Sequence, residues 1–321
     1  MKRIDNRSAK PRGFVLLAVL LALASVTVLA AVFSLAVRQF VDATSNRIAI
    51  RTAAWHAFDC SGRARAAVQR ALSAAPDQRR LSLVWRHLDD SVSNDAAVRN
   101  ATYCNLSLRS AGDRLDVNAA TPSQLERLLY AIGLTPASVD SLRDALMDWR
   151  DPDDVPRRSG AETVWYVRHH RRPPRNGPFA NEREVLLVRG VDQLEPGSRT
   201  MLLGALTVDR SRIDLARAPP EVLETLPGFS PQGVEGLLIL RGQDLDSVDL
   251  VRIATKAQGV ARDSLAAHFS ELAGLTTPAP DAWILRARGA APHFPGHAVL
   301  ELRILLAGSH ASIVRRRAWV E

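Results

Sequence analysis

The pattern of apolar and polar positions changes along the chain in successive textures. Residues 14–37 carry no charged side chain at all. About 20 apolar residues are enough to cross a bilayer as a helix, because a helix satisfies its own backbone polar groups where there is no water. Residues 38–73 are rich in Ala, Arg, Gln and Val, with one glycine (Gly62) and no proline. The spacing predicts that the helix continues as a rod with an amphipathic outer half, ended by Pro76. Within 81–110 the string LSLVWRHL (81–88) fits a helix, and ATYCNLSLRS (101–110) alternates as a strand does. Residues 115–242 return to helical periodicity. After Thr277-Pro278, WILRARG (283–289), HAVLELRILLAG (297–308) and ASIVRRRAWVE (311–321) alternate apolar residues with Arg or Glu. They read as strands of an antiparallel sheet with one wet face.

The helical part repeats itself. LDVNAATPSQLERLLYAIGLTP (115–136) aligns with IDLARAPPEVLETLPGFSP (213–231), pairing Asp116 with Asp214, Ala120 with Ala218, Pro122 with Pro220, Leu125 with Leu223 and Glu126 with Glu224. Each copy has a short extended piece, a proline near the first helical position, an apolar-faced helix, a glycine turn and a second helix. These are two helical-hairpin units. NEREVLLVRGV (181–191), between them, is expected to be a further helix.

Composition narrows the function. The chain has 321 residues, 46% hydrophobic and 24% charged, which suits one or two globular domains. Two cysteines exclude a disulfide framework and a four-ligand zinc cluster, and 5% aromatic residues argue against a cofactor stacking box. A net charge of +8 attracts nucleic acid or acidic lipid only if the charge is focused. There is no Gly-x-Ser-x-Gly, P-loop, His-Glu-x-x-His or dinucleotide fingerprint, so no enzyme is expected.

The N-terminus sets the compartment. In MKRIDNRSAKPRG, residues Lys2, Arg3, Arg7, Lys10 and Arg12 outweigh Asp5 and hold this end in the cytoplasm. The bulk of the chain then lies outside the inner membrane of a bacterium. A cleaved secretory signal and a plain anchor compete for this segment, but a secretory apolar core is usually about 7–15 residues, shorter than this one. A basic leader ending in Gly13, followed by Phe14 and an unbroken apolar helix, resembles a prepilin-type signal cut between Gly13 and Phe14. Most pilins and pseudopilins have Glu at the fifth mature position; here it is Ala18. A buried carboxylate costs about 2.5–3.5 kcal/mol on insertion scales and is kept only with a partner. A subunit lacking it suits a filament end.

Taken together, RGFVLLAVLL with Ala18, LDVNAAT (115–121), DWRDPDDVPRRSGAE (148–162), PFANEREVLLVRGVD (178–192) and IDLARAPPEVLETLPGF (213–229) resemble the type II secretion minor pseudopilins of the general secretion pathway protein K family. The resemblance implies an α+β pseudopilin fold: a long N-terminal helix plus an antiparallel sheet, with a large inserted helical domain. The implied organisation is a leader at 1–13, a transmembrane and rod helix at 14–75, a first sheet part at 76–114, the insertion at 115–277 and terminal sheet strands at 278–321. It further implies a place at the tip of the periplasmic pseudopilus, the minor pseudopilins I and J, the prepilin peptidase and the inner-membrane secretion platform as partners, and methylation of Phe14.

Four clusters invite chemistry. Asp148, Asp151, Asp153 and Asp154 fall within seven residues, and Glu162 follows a glycine-containing turn. Calcium takes six to eight oxygens from such loops. Asp151 and Asp153, straddling Pro152, are expected to point the same way. The ligand set expected is Asp151, Asp153, Asp154 and Glu162. The resembled family carries calcium in its helical insertion, although Thr163 stands where a further acid is expected. The competing reading is a solvated loop with Arg150, Arg157 and Arg158 as counter-ions. LETLPGF resembles the turn of helix-hairpin-helix modules, which bind DNA phosphate through backbone N–H groups. That gives the alternative, a membrane-anchored DNA-binding receptor, but neither turn has a basic residue beside it, so nucleic acid is not expected. Arg168, His169, His170, Arg171, Arg172 and Arg175 form a basic loop, expected to be solvated. Cys60 on the rod and Cys104 on the adjacent strand are either a disulfide in an oxidising space or two buried thiols.

Overall fold

The first element of the computed structural model is α1 (Arg12–Ser73), an unbroken helix of 62 residues. The structure describes residues 12–73, 103–243, 249–257, 259–278, 280, 282–292, 295–307 and 310–321. The leader residues 1–11 and LSLVWRHL at 81–88 lie outside the described residues. Residues 15–48 of α1 are exposed throughout, and among the described residues α1 is the one helix long and apolar enough to cross a membrane. Ser25 and Thr27 satisfy their hydroxyls within the helix: Ser25 donates to the carbonyl of Leu21 at 2.7 Å and Thr27 to that of Ala24 at 2.8 Å. An apolar solvent could not satisfy them.

Farther along α1, Ala53, Ala57, Cys60, Ala64 and Ala67 form a buried stripe at alternating spacings of four and three. Small residues let the helix approach the sheet closely. β1 (Cys104–Ser110) is the first strand beneath it.

The insertion follows directly. β2 (Leu115–Asp116) leads to α2 (Pro122–Ala131), capped by Thr121 in a reciprocal capping box with Gln124, and to α3 (Pro136–Arg150). Next come α4 (Thr163–Arg168), 3-10 turns at Glu182–Leu187 and Val191–Gln193, α5 (Pro196–Ala205) and β3 (Leu206–Thr207). The second unit is β4 (Ile213–Asp214), α6 (Pro220–Leu223), α7 (Pro231–Gln243), α8 (Leu250–Lys256), α9 (Gly259–Ala267), α10 (Phe269–Leu275) and β5 (Thr276–Thr277). β2 pairs in parallel with β3, and β4 with β5. Each unit therefore closes on itself, and a single hydrophobic core runs through both.

The two units share their hydrogen bonding as well as their sequence. Asp116 accepts from the Asn118 N–H at 2.9 Å, and Asp214 from the Ala216 N–H at 3.0 Å. Arg150, at the end of α3, donates to the carbonyls of Val117 and Ala120; Arg241, in α7, donates to those of Leu215 and Ala218. The glycine turns have positive φ at Gly133 (83°) and Gly228 (77°), a conformation that side chains with a Cβ resist.

The segment 181–191 is not the helix that its apolar content suggests. Its buried valines, Val185, Val188 and Val191, recur every three residues, which is the period of a 3-10 turn rather than 3.6. Gly190, at φ 90°, separates the two short pieces.

β6 (Ala282–Gly289), β7 (Ala298–Ala307) and β8 (His310–Val320) complete an antiparallel sheet of order β1-β6-β7-β8. One face, with Trp283, Leu285, Ala287, Leu300, Leu302 and Ile304, packs on α1. Gly289 lies where a Cβ would come within 2.0 Å of the Ala53 carbonyl oxygen, so only glycine fits under the helix.

The opposite face departs from the wet face expected. It is lined by arginines, and the insertion is docked onto it. Asp209, 1% exposed, is ion-paired with Arg303 (3.6 Å) and with Arg315. Arg317 meets Glu182 at 3.1 Å and donates to the Ala180 carbonyl at 2.8 Å. The arginine alternation reads as solvent-facing because sequence does not show the acids that arrive from about a hundred residues away.

Candidate metal centre

α3 carries the cluster. Asp144, Asp148 and Asp151 follow its last turns down one side, spaced by four and three. The loop 151–161 folds back along them and is held by its backbone. Ser159 N–H donates to Asp144 Oδ2 at 3.1 Å and Arg157 N–H to Asp148 Oδ2 at 3.2 Å. Arg189 Nη1 donates to the Gly160 carbonyl at 2.8 Å, and Asn176 Nδ2 to that of Asp153 at 2.9 Å. Gly160 is required where it stands, since a Cβ there would meet Asp148 Oδ2 at 1.9 Å. This return brings Glu162, the residue before α4, back onto α3.

The residues brought together are Asp148, Asp151 and Glu162, whose carboxylate oxygens lie within 4.8 Å of one another. Asp148 is fully buried and Glu162 is 3% exposed. Both Glu162 oxygens and Asp151 Oδ1 are buried without a hydrogen-bond donor. Burial, with Asp148, Asp151, Asp154 and Asp153 nearby, pushes the Glu162 carboxyl up to about 8. Burial also raises Asp148, against the pull of Arg157. One cation is already present: Arg157 Nη1 lies 2.6 Å from Asp148 Oδ1 and 2.5 Å from Asp151 Oδ2.

Asp153 and Asp154, the other two expected ligands, are not in that group of three, although both lie close enough to Glu162 to raise its carboxyl. Asp153 accepts from the Val155 N–H at 2.9 Å. Asp154 accepts from the Thr163 N–H at 3.1 Å, and the Thr163 hydroxyl and N–H hold it below the usual carboxylate range. Thr163, which stands where a further acid was expected, thus occupies an acid instead of adding one. Asp148 belongs to the cluster and is absent from the expected set. The signal for it was the i, i+3 spacing to Asp151 at a helix end.

An orphaned, buried carboxylate beside two others is a donor set that fits a hard divalent cation such as calcium, which takes carboxylate and carbonyl oxygens at flexible geometry. Behind it Trp149 stacks on Phe179 (6.0 Å) and meets Tyr166 edge-on (5.5 Å), while the Asn118 side-chain amide donates to the Phe179 carbonyl at 3.0 Å and accepts from the Phe179 N–H at 2.8 Å. LDVNAAT, DWRDPDD and PFANERE are therefore parts of one packed unit.

The other clusters resolve differently. The N–H groups of the first glycine turn are taken internally, Gly133 by Tyr130 (2.9 Å) and Leu134 by Leu129 (3.1 Å). Arg127 of α2 donates to the Leu226 carbonyl at 2.8 Å, so this base links the two units. Nothing here supports DNA binding. The basic loop is solvent-exposed as expected, with Arg171 half-buried, and makes surface contacts: His169 stacks on Trp165 at 4.1 Å, Arg171 pairs with Asp192 at 2.5 Å and Arg175 with Glu184 at 3.1 Å. Cys60 and Cys104 form a disulfide, with Cα atoms 6.3 Å apart.

Residues 93–195, which include the whole cluster, match the type II secretion system protein K family profile. The type II secretion system protein K of Klebsiella pneumoniae is 30% identical over 192 residues, 57% of this chain and 59% of the relative. Its counterpart from Dickeya chrysanthemi is 23% identical over 291 residues, covering 69% of this chain and 81% of the relative. The chain thus spans 59% of the length of the Klebsiella protein it matches. In fold it is similar to a chain in the crystal structure of the GspK–GspI–GspJ complex from the type 2 secretion system of enterotoxigenic Escherichia coli. The TM-score is 0.58 and the identity 16%, over 84% of this chain and 96% of the other.

Proposed function

We propose, taking its relation to the type II secretion system protein K family as the premise, that this chain is a minor pseudopilin at the tip of the type II secretion pseudopilus. There it starts or caps the filament that drives folded exoproteins through the outer membrane. The observation that carries the reading is the single helix α1. Its exposed apolar half is free to enter a membrane or a filament core, and its alanine stripe fastens the same rod to a sheet. The insertion docked on the far face of that sheet is too bulky for the side of a filament, and Ala18 lacks the acid that grips a neighbouring subunit. The role is structural and not enzymatic. The N-terminus lies in the cytoplasm and the bulk in the periplasm of a single-pass inner-membrane protein. The prepilin peptidase cuts after Gly13 and methylates Phe14. The partners are the minor pseudopilins I and J, as in the complex of the structural relative.

Calcium is proposed at Asp148, Asp151 and Glu162. It would supply charge neutralisation and hold the 151–162 loop against α3. Intact mass and N-terminal peptide analysis of the membrane-extracted protein tests the reading. A methylated phenylalanine start is expected, together with co-purification of the two partner pseudopilins. Any other start, or no co-purification, rejects it.

A further inference from the structure

We propose that Arg157 is a tethered counter-ion which a divalent cation must displace, so that this arginine sets how tightly the acidic cluster holds metal. The inference rests on the calcium reading above. Arg157 Nη1 bridges Asp148 Oδ1 and Asp151 Oδ2, yet it leaves Asp151 Oδ1 and both Glu162 oxygens without a donor. A guanidinium donates along fixed directions, and one carrying a single delocalised charge covers only one side of three carboxylates. A spherical divalent ion has no such directional limit and carries twice the charge. Both cannot occupy the space between Asp148 and Asp151, because each would be repelled at contact distance.

The surroundings suit an exchange. The Arg157 side chain is 36% exposed, so its head has water to move into, while Asp148 has none. The Arg157 backbone N–H stays on Asp148, and Ser159, Gly160 and Asp153 are tied independently to Asp144, Arg189 and Asn176. The loop can therefore keep its path while its counter-ion changes. Arg157 is a competitor and positioning residue, not a ligand.

Calcium chloride alone is titrated calorimetrically into the full chain in detergent micelles, at fixed pH and ionic strength, for wild type, Arg157→Gln, Arg157→Lys and Glu162→Gln. Arg157→Gln is expected to bind at least about tenfold tighter, equivalent to about 1.4 kcal/mol. Arg157→Lys falls between it and wild type, and Glu162→Gln loses binding. Equal or weaker binding by Arg157→Gln, with normal binding by wild type, overturns the role of Arg157 and leaves the calcium reading standing. Absence of binding in every variant, with melting indifferent to calcium, overturns both. If Arg157→Gln unfolds in chelator, calcium titrated against circular dichroism gives the same reading. Refolding at calcium levels below the wild-type Kd supports displacement, and refolding only above it rejects displacement.

Discussion

Glu162 shows how one residue ties loop, helix and charge together. Its carboxyl is raised to about 8, first by burial and then by its acidic neighbours. An acid with a raised folded pKa favours the fold while protonated. Its contribution is complete below the unfolded value near 4.5 and is lost as pH rises through about 8. Melting of the metal-free chain in chelator is therefore expected to fall between pH 5 and pH 8.5. Glu162→Gln should flatten that slope, and an unchanged slope would remove Glu162 as its source. Arg241 makes the same point without titration. Arg241→Ala leaves the carbonyls of Leu215 and Ala218 without their charged donor, at about 1.5–3 kcal/mol each by the usual cost of such bonds. Chemical denaturation should report a loss of that order. The acids were visible in sequence as a cluster. Which of them converge was not, because the return of the 151–161 loop that brings Glu162 onto α3 is held by backbone N–H bonds to Asp144 and Asp148 that sequence spacing does not reveal.

The rod helix illustrates what an element can and cannot declare. Its apolar run and its alanine stripe are both periodic features of one segment, so they were legible. The stripe's consequence, a helix lying against the backbone of β6, depends on a partner strand more than two hundred residues away. Gly289→Ala should force helix and sheet apart; overpacking of this kind costs about 1–3 kcal/mol, and thermal melting would detect it. The Cys60–Cys104 disulfide spans 44 residues and joins rod to sheet. Loop-closure entropy for that length is about 4 kcal/mol in the chain-entropy picture. Reduction, or Cys104→Ser, should lower stability by about 2–4 kcal/mol; a melting temperature insensitive to reductant would argue that the bond is absent in solution. The segment 181–191 reads as a helix by composition, and its three-residue valine period is the clue that decides otherwise.

For the whole molecule, the insertion and the sheet are held as one body by ion pairs from opposite parts of the chain. Asp209 is buried between Arg303 and Arg315, and Arg217 lies over the Trp283 ring at 4.9 Å. Removing one partner of a buried pair costs about 3–5 kcal/mol, since the charges left behind stay desolvated. Asp209→Asn should therefore loosen the insertion, seen as faster proteolysis between residues 206 and 213 with the α1–sheet unit intact. Unchanged proteolysis would mean that apolar packing alone sets the docking. Because the insertion sits on the sheet face away from α1, the apolar half of α1 stays uncovered.

Sequence alone determined the membrane-length helix, the order of helical and strand segments, the doubled hairpin and the acid-rich loop, because each is written in neighbours a few residues apart. Only the tertiary structure decided which acids meet, that the arginine face is covered, and that Arg150 and Arg241 hold equivalent carbonyls in the two units. These depend on groups tens to hundreds of residues distant, brought together only when apolar burial folds the chain around them.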